Sequence, residues 1–266
     1  MPEPKRDSVA YTVGFTALVC LLCAVPIASA AVLLKPRQTV NQRVDRLTKV
    51  LTVAGLMRPG ERLSADEVEQ RFASNVVPVA VALESGQAAP EIEAATFDPR
   101  KAAKDPQASA RAPANAARVL RVPKHSLVYE VRREGKLDAV VLPIQGYGLW
   151  STMYGYLALE ADGRTVAGIT FYEHGETPGL GGEIENTAWQ AKWKGRKAFG
   201  DDGEVKLHVV KGAAGAPADD PYRVDGLSGA TITSRGVTHT LEFWLGPNGF
   251  GPYLERLAAG RGQEAK

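Results

Sequence analysis

The most prominent feature of the hydrophobic pattern is a stretch near the N terminus that contains no charged residue. It occupies residues 8–34, which are 27 positions between Asp7 and Lys35. About 20 helical residues suffice to cross the ~30 Å hydrocarbon core of a bilayer, and a helix of this length would rise about 40 Å. The sequence therefore predicts a transmembrane helix over residues 9–34, after a short N-terminal tail at residues 1–8.

A cleavable signal peptide is the alternative interpretation of this stretch. Lys5 and Arg6 form a basic start, and small residues at 28–30 follow Pro26 as a cleavage motif would. The apolar part exceeds the usual core of about 7–15 residues of a signal peptide and continues through residues 31–34. Its length favours a retained anchor.

The charges around the apolar stretch leave its orientation open. Basic residues also follow it closely, at Lys35, Arg37, Arg43, Arg46 and Lys49. A simple count would place the C-terminal side in the cytoplasm, but that rule is weak for long translocated domains.

Residues 35–120 have the pattern of helical and irregular connecting structure. Apolar positions at helical spacing continue until Gly55, and a capping-box pattern at Ser64 and Glu67 predicts a second helix start. Residues 85–118 are rich in Ala, Pro and charge, which predicts irregular chain with one short helix. The apolar positions of the first helix are Val40, Val44, Leu47 and Leu51.

From residue 121 onward the pattern predicts an α+β domain, an antiparallel sheet with packed helices, over residues 121–266. Two hairpins are expected, one around Glu134-Gly135 and one around Asp162-Gly163, where Asp-Gly suits a type I′ turn. The strands expected are 127–133, 137–144, 152–160, 165–174 and 205–210, and the helices are 183–193, 232–245 and 250–260.

The amino-acid composition argues against nucleic-acid binding and against cysteine-based sites outside the apolar stretch. Lys and Arg number 32 against 30 Asp and Glu, so the net charge of +2, with no evident basic cluster, argues against nucleic acid as a partner. Both cysteines, Cys20 and Cys23, lie in the apolar stretch, which excludes disulfides, thiolate zinc sites and cysteine-ligated clusters from the rest of the chain. Small apolar packing is the favoured interpretation of this pair, with a metal or redox role left open.

Two glycine-rich segments, 176–182 and 225–234, each precede a predicted helix. The start of a helix offers unpaired N–H groups and the positive end of a dipole, which suits a phosphate. Tyr147, Trp150 and Tyr154 add aromatic faces nearby, and together these features indicate a flat, phosphorylated cofactor. Ordinary helix caps remain the alternative.

A hydrolase is a further alternative, because residues 226–230 come close to a nucleophile elbow around Ser228. His239 and Glu242 follow on the same predicted helix. Three members of a catalytic triad on one short stretch of chain make an improbable geometry, so this interpretation is disfavoured.

The segment DGLSGATITS at 225–234 resembles the flavinylation motif of the FMN-binding domain family. With GLWSTMY at 148–154, YEHGETPGLGGEIEN at 172–186 and FWLGPNGFGP at 243–252, the chain closely resembles the C subunits of sodium-translocating NADH:quinone oxidoreductases. The likeness covers nearly the whole chain. SGAT alone is shared with Rnf-type complexes, so the other segments favour the sodium pump.

The resemblance implies FMN bound covalently through its phosphate to Thr231, attached by a magnesium-dependent flavin transferase that takes FMN from FAD. Asp225 would be recognised mainly by the transferase, and Trp150 would lie near the ring system. The resemblance further implies that Ser228, Gly229 and Ala230 line the phosphate, and that Glu176, Thr177, Leu180 and Gly181 approach the rings. Whether His174 contacts the flavin stays open.

The function that the resemblance implies is a relay of single electrons within a membrane redox complex, with the flavin domain on the periplasmic side of a bacterial inner membrane. The chain carries no dinucleotide-binding motif for NADH, and the apolar stretch carries no carboxylate for sodium. Other subunits of the complex, the transferase and membrane lipid are the expected partners. The alternatives are an Rnf-type complex and an anchored binding protein without redox chemistry.

Overall fold

The computed structural model describes residues 8–264, with side chains as far as residue 260. Lys5, Arg6 and most of the expected tail at 1–8 lie outside the described residues. The chain divides into two compact units, Met1–Asp45 and Arg46–Lys266.

The first unit consists of the greater part of one long helix, α1, which spans Val9–Val53. The helix passes Pro26 and Pro36 without interruption, and its apolar part has a mean hydropathy of 2.7, enough by length and composition to cross a membrane. The large apolar side chains of this apolar part are exposed, whereas Val50, Leu51 and Val53 at the end of the helix are buried. Cys20 and Cys23 are free and exposed on this helix, three residues apart and so on one face.

The second unit is built on a five-stranded antiparallel sheet, which confirms the expected α+β class. The strand order is β1-β4-β5-β6-β7. The bounds are β1 Val76–Ala82, β4 His125–Arg133, β5 Lys136–Tyr147, β6 Thr152–Glu160 and β7 Val166–Glu173.

The sheet begins earlier than the sequence predicts. Helix α2, Ala65–Asn75, starts with the expected capping box at Ser64 and Glu67, and β1 follows it directly. Val76 of β1 lies opposite Val131 of β4. Because β1 belongs to the sheet, the expected division at residue 120 is not a structural boundary, and connecting structure is the wrong assignment for residues 76–82.

The two hairpin turns differ from each other. Glu134 and Gly135 have φ angles of 51° and 79°, as a two-residue type I′ turn requires. The type I′ expectation at Asp162-Gly163 is wrong, because residues 161–165 form a longer loop between β6 and β7. There the Asp162 carboxylate accepts hydrogen bonds from the N–H groups of Arg164 and Thr165.

The remaining elements complete the unit, and some are shorter than expected. The helix predicted at 183–193 is interrupted at Asn186, whose side chain caps a second, separate helix. The strand predicted at 205–210 is reduced to two residues. The bounds are α3 Pro99–Lys104, β2 Ser109–Arg111, β3 Arg121–Pro123, a 3₁₀ turn Gly181–Glu185, α4 Thr187–Ala191, β8 His208–Val209, β9 Arg223–Val224, α5 Thr231–Leu245 and α6 Gly251–Glu264.

Helix α5 packs on the inner face of the sheet. Trp244 donates a hydrogen bond of 2.6 Å to the backbone carbonyl of Gln145 in β5. Val237 and Leu241 of the same helix are fully buried. The start of α5 is therefore held at a fixed place beside the end of β5.

The outer face of the sheet carries a row of tyrosines. The rings of Tyr156 and Tyr172 stack with centroids 5.1 Å apart, and Tyr129 meets Tyr156 edge to face at 5.9 Å. The last turn of α1 covers this face at β7, where a Cβ on Gly168 would lie 2.8 Å from the carbonyl oxygen of Val53. The end of α1 is thereby part of the second unit's packing.

We predict that Gly168→Ala lowers the free energy of unfolding by about 1–3 kcal/mol, because the added methyl group forces the end of α1 away from β7. Denaturant unfolding of the purified chain measures it. Gly260→Ala is the matched control, since a Cβ there meets nothing within 4 Å and alanine favours the helix by about 0.5–1 kcal/mol. Equal stability of Gly168→Ala and the unchanged chain would contradict the packing described.

Candidate functional site

The two glycine-rich segments meet at the start of α5. Thr233 donates a hydrogen bond of 2.6 Å to the carboxylate of Glu176. A Cβ on Gly181 would lie 2.5 Å from the Thr233 hydroxyl oxygen, and a Cβ on Gly229 would lie 2.9 Å from the side chain of Leu180. Glycine at these positions lets the segments approach this closely. The structure thus brings together the residues expected to surround a cofactor.

The carboxylate of Glu176 holds a third segment in place. Its oxygens accept hydrogen bonds from the backbone N–H groups of Leu149, Trp150 and Ser151, at 3.1, 2.9 and 3.3 Å. Only 5% of Glu176 is exposed. The residue expected to approach a flavin ring is therefore fully occupied by protein groups, and it fixes the loop between β5 and β6 against α5.

Burial of Glu176 would raise its pKa, but the hydrogen bonds that it accepts outweigh this effect. The Thr233 hydroxyl and the backbone N–H groups of residues 149–151 all favour the charged form, so the pKa lies below its usual range. Glu176 is thus a buried, ionised acceptor at neutral pH. Sequence reasoning selected this residue but missed its partners, which are 25 to 57 positions away.

Large apolar side chains surround this network at the surface. Trp150 is 63% exposed, and its indole N–H donates a hydrogen bond of 3.2 Å to the Thr177 hydroxyl. Leu149, Leu180 and Ile232 are also exposed. Grouped exposed apolar side chains of this kind mark a binding surface, and we call Leu149, Trp150, Leu180 and Ile232 the apolar rim.

Thr231 is the first residue of α5 and is exposed. The residue before it, Ala230, has no side chain that could cap the helix, and Ser228 and Gly229 are exposed beside it. The Ser234 hydroxyl accepts a hydrogen bond from the Leu227 N–H group and so holds the loop that leads to the helix. The first N–H groups of α5 therefore have no side-chain cap.

Asp225 is anchored at the base of the same loop. Its carboxylate pairs with Lys192 at 2.6 Å and accepts a hydrogen bond from the Ala214 N–H group. Its backbone carbonyl accepts a hydrogen bond from the Trp189 indole. The Lys192 ammonium group, ahead of other causes, holds the pKa of Asp225 below its usual range. Sequence reasoning missed Lys192 and Trp189, because their pairing depends on distant segments meeting.

The structure also places two further side chains considered in the sequence. The His174 ring accepts a hydrogen bond from the Glu176 N–H group and lies 3.1 Å from Glu185. Ser228 precedes α5, whereas His239 lies eight residues into it, an axial rise of about 12 Å. That separation is far beyond the hydrogen-bond contact that a triad needs.

Within residues 8–264 no cluster of three or more His, Cys, Asp or Glu side chains could hold a metal ion. The polar groups around Thr231 are hydroxyls and the backbone N–H groups at the start of α5, which suit an anionic ligand.

Comparison with known proteins agrees with this geometry. Residues 148–246, which contain both glycine-rich segments, match the FMN-binding domain family. The C subunit of the Na(+)-translocating NADH-quinone reductase of Yersinia pestis is 46% identical over 259 residues, 96% of this chain and 96% of the relative. The chain belongs to this family of C subunits. The corresponding protein of Pseudomonas aeruginosa is 43% identical, over 96% of this chain and 98% of the relative.

Solved structures of the family share the fold. The crystal structure of Shewanella oneidensis NqrC has a TM-score of 0.75 and 37% sequence identity, covering 82% of this chain and 99% of that one. The crystal structure of the C subunit from Parabacteroides distasonis has a TM-score of 0.64 and 29% identity, covering 83% and 96%. The α+β architecture described above is therefore that of the C subunits.

We predict that Glu176→Gln removes one component of the pH dependence of stability. The lowered pKa of Glu176 means that its ionised form stabilises the fold above its ordinary value of 4.5, and that this stability is lost as pH falls through the lower, folded pKa. At neutral pH the variant should be destabilised by about 3 kcal/mol, because the N–H donors of the loop lose a charged acceptor.

Denaturant unfolding of the chain at a series of pH values measures this effect. Glu204→Gln, at an exposed position, is the matched control and should reproduce the curve of the unchanged chain. A Glu176→Gln curve that stays parallel to that of the unchanged chain down to acid pH would refute the role given to this carboxylate.

Proposed function

We propose that the chain is a membrane-anchored subunit that carries FMN covalently on Thr231 and relays electrons within a sodium-pumping NADH:quinone oxidoreductase. The observation that supports this most strongly is the position of Thr231, an exposed residue at the uncapped start of α5, next to Ile232 of the apolar rim. Membership of the family of C subunits supports the same assignment.

The residues at Thr231 fit a phosphate in a phosphodiester linkage. The first N–H groups of α5 and its dipole stabilise the remaining negative charge of such a group. Gly229 has a φ of 71° and, with Ala230, leaves space around the hydroxyl. Ser228 adds a second exposed hydroxyl as a hydrogen-bond donor.

The apolar rim fits a flat ring system. Trp150 offers an aromatic face that is held by its hydrogen bond to Thr177, and Leu180 lies beside Gly229. Gly181 keeps this wall close to Thr233. Glu176 acts on the ring indirectly, because it positions the backbone of the loop that carries Trp150. When bound, FMN would supply the one-electron chemistry, and these residues would orient it and exclude water from one side.

Attachment requires a second protein. A flavin transferase with Mg²⁺ would form the bond between the Thr231 oxygen and the FMN phosphorus, while the pyrophosphate bond of FAD breaks. AMP leaves, and the hydroxyl loses its proton. Asp225 would be recognised by this transferase together with Lys192, since the two side chains form one ion pair beside the loop, in which Lys192 is exposed and Asp225 is half-buried.

The apolar part of α1 would serve as a retained single-pass anchor in a bacterial inner membrane, with the flavin domain on the periplasmic side. Lipid and the other subunits of the redox complex would be its partners. Electrons would arrive from an iron–sulfur centre upstream and leave to another flavin subunit. An Rnf-type complex remains the alternative setting for the same domain, and the subunits that purify with the chain decide between them.

We predict that Thr231→Ala abolishes covalent flavin, because no hydroxyl then occupies the first position of α5. The chain is produced together with the flavin transferase and separated on a denaturing gel, where ultraviolet fluorescence of the protein band reports bound flavin. Thr187→Ala is the matched control, since it removes an exposed hydroxyl at the first position of a different helix, α4, and should keep the fluorescence. A dark band for the unchanged chain would refute the covalent flavoprotein.

We predict that the flavin domain is labelled from the periplasm. Cys20 and Cys23 are replaced by alanine and Ala218, an exposed position of the second unit, is replaced by cysteine. A membrane-impermeant maleimide should then label the chain in cells whose outer membrane has been opened and whose inner membrane is intact. Labelling only after the inner membrane is lysed would place the domain in the cytoplasm instead.

A further inference from the structure

Leu120 is the most exposed large hydrophobic side chain in residues 54–260, with 80% of its surface accessible. It lies at the end of the loop that joins β2 to β3, between Val119, which is buried, and Arg121. The site described above does not use it. An isolated exposed leucine needs no explanation, but the charges around this one are unusual.

The segment 99–124 concentrates positive charge. It holds seven Lys and Arg residues against one acidic residue, Asp105, in a chain whose total charge is +2. The basic residues are Arg100, Lys101, Lys104, Arg111, Arg118, Arg121 and Lys124. The expectation that the chain has no basic cluster is therefore wrong. The pairing of β2 with β3 places Arg111 opposite Arg121, and Arg100, Lys104, Arg118 and Arg121 border one cavity.

Among the residues that the structure describes, a carboxylate pairs with only one of these seven basic side chains. Arg100 forms a bidentate pair with Glu173, at 2.6 and 2.8 Å. Arg121 donates its hydrogen bonds to neutral oxygens of Ser109 and Pro106. Arg111 lies directly opposite Arg121 across the β2–β3 pair, an arrangement of like charges that costs stability. Residues 99–124 thus carry more positive charge than the fold itself requires.

Arg118 adds an unfavourable backbone conformation. Its φ of 55° lies in the left-handed region, which residues with side chains rarely adopt, and such strain concentrates at binding sites. The guanidinium lies 5.1 Å from the centre of the Tyr147 ring. It borders a cavity of about 550 Å³, open to solvent, whose walls include Lys104, Leu120, Arg121 and Tyr154. We call Lys104, Arg118, Leu120 and Arg121 the Leu120 surface.

The Leu120 surface lies near the residue at which the chain enters the second unit. That residue is Arg46. The pKa of Glu173 is lowered first by Arg100, and the positive charges of Arg46 and Lys104 act on the same carboxylate. Arg46 and Lys104 therefore both lie within electrostatic range of the Glu173 carboxylate. Residues 35–45 join Arg46 to the apolar stretch in one continuous helix, a rise of about 18 Å from Leu34.

We propose that the Leu120 surface docks onto the anionic headgroups of the membrane in which α1 is anchored. Leu120 enters the interface between headgroups and acyl chains, and Arg118, Lys104 and Arg121 bind lipid phosphates. This inference rests on the retained anchor of the proposed function.

An exposed leucine among cations fits a membrane interface, where apolar burial and attraction to anionic lipid act together. An acidic protein segment would satisfy the charges and leave Leu120 without a counterpart. The short tether also keeps lipid at a high effective concentration around this surface. The cavity is connected to the candidate flavin site, because the Tyr147 hydroxyl donates a hydrogen bond to the backbone carbonyl of Trp150. Docking would therefore hold the flavin site at a fixed distance from the membrane surface.

The test uses the full chain in vesicles, with Cys20 and Cys23 replaced by alanine. An environment-sensitive fluorophore is attached at Ala116→Cys, an exposed position of the β2–β3 loop, so that Leu120 stays intact. Its emission should shift to that of an apolar environment in vesicles of phosphatidylcholine mixed with phosphatidylglycerol, and much less in phosphatidylcholine alone. The same probe at Ala218→Cys, on a loop distant in sequence, is the control and should report water in both.

Variants of the basic residues and of Leu120 then test whether these side chains bind the membrane or merely lie near it. Arg118→Gln and Lys104→Gln should each weaken the docking equilibrium about fivefold, added salt should weaken it further, and Leu120→Gln should abolish the apolar emission. Emission that is independent of lipid charge and of Arg118 would overturn the proposal. So would a shift produced by inorganic phosphate in detergent without lipid, which would indicate a small-anion site, or a shift that requires another protein of the complex.

Two further readouts keep this test separate from the proposed function. Flavin fluorescence of the band on a denaturing gel reports the covalent cofactor, and resistance to an alkaline wash of the membranes reports the anchor. A chain that passes both and shows no lipid-dependent emission overturns docking alone. A chain released by the wash overturns the anchor and the docking with it.

Discussion

The ionised carboxylate of Glu176 is the interaction on which the candidate site depends. It lies in the interior and accepts hydrogen bonds from the loop between β5 and β6 and from Thr233 of α5. An apolar side chain there would leave the N–H donors of residues 149–151, which are partly buried, without an acceptor, and that lowers stability. One side chain thus ties the loop that carries Trp150 to the helix that begins at Thr231.

This constraint links the core of the fold to its surface chemistry. The middle of α5 is buried on the sheet through Val237 and Leu241, and its first residue is exposed. The helix therefore transmits the rigidity of the packed interior to the position of a single hydroxyl. The five-stranded sheet serves chiefly as the support that sets the distance between the start of α5 and the end of β5.

Local signals in the sequence predicted much of this arrangement. Some features depend only on residues a few positions apart and can be recognised from the sequence. They are the start of α5, the capping box at Ser64, the first hairpin turn and both glycine-rich segments. The short turn expected at Asp162 failed because the carboxylate there forms its own hydrogen bonds with the following backbone, and these stabilise a longer loop.

Features that depend on distant segments escaped prediction. Strand β1 joins the sheet through β4, some 50 residues later, and Asp225 finds Lys192 across 33 positions. The basic residues of segment 99–124 are spread along the sequence, and several of them become neighbours only when the chain folds and β2 pairs with β3. In each case tertiary pairing, which has no local signature, decides which residues become neighbours.

The continuity of α5 has a consequence for the dynamics of a bound redox group. Segments that open locally have few buried contacts, whereas the start of α5 can separate from the β5–β6 loop only if the Glu176 network breaks and the helix leaves the sheet. Dipoles that are held this firmly change little when the charge beside them changes. Under the proposed function, a flavin seated there would have nearly the same surroundings before and after each electron transfer, so the energy needed to reorganise the protein at each step would be small.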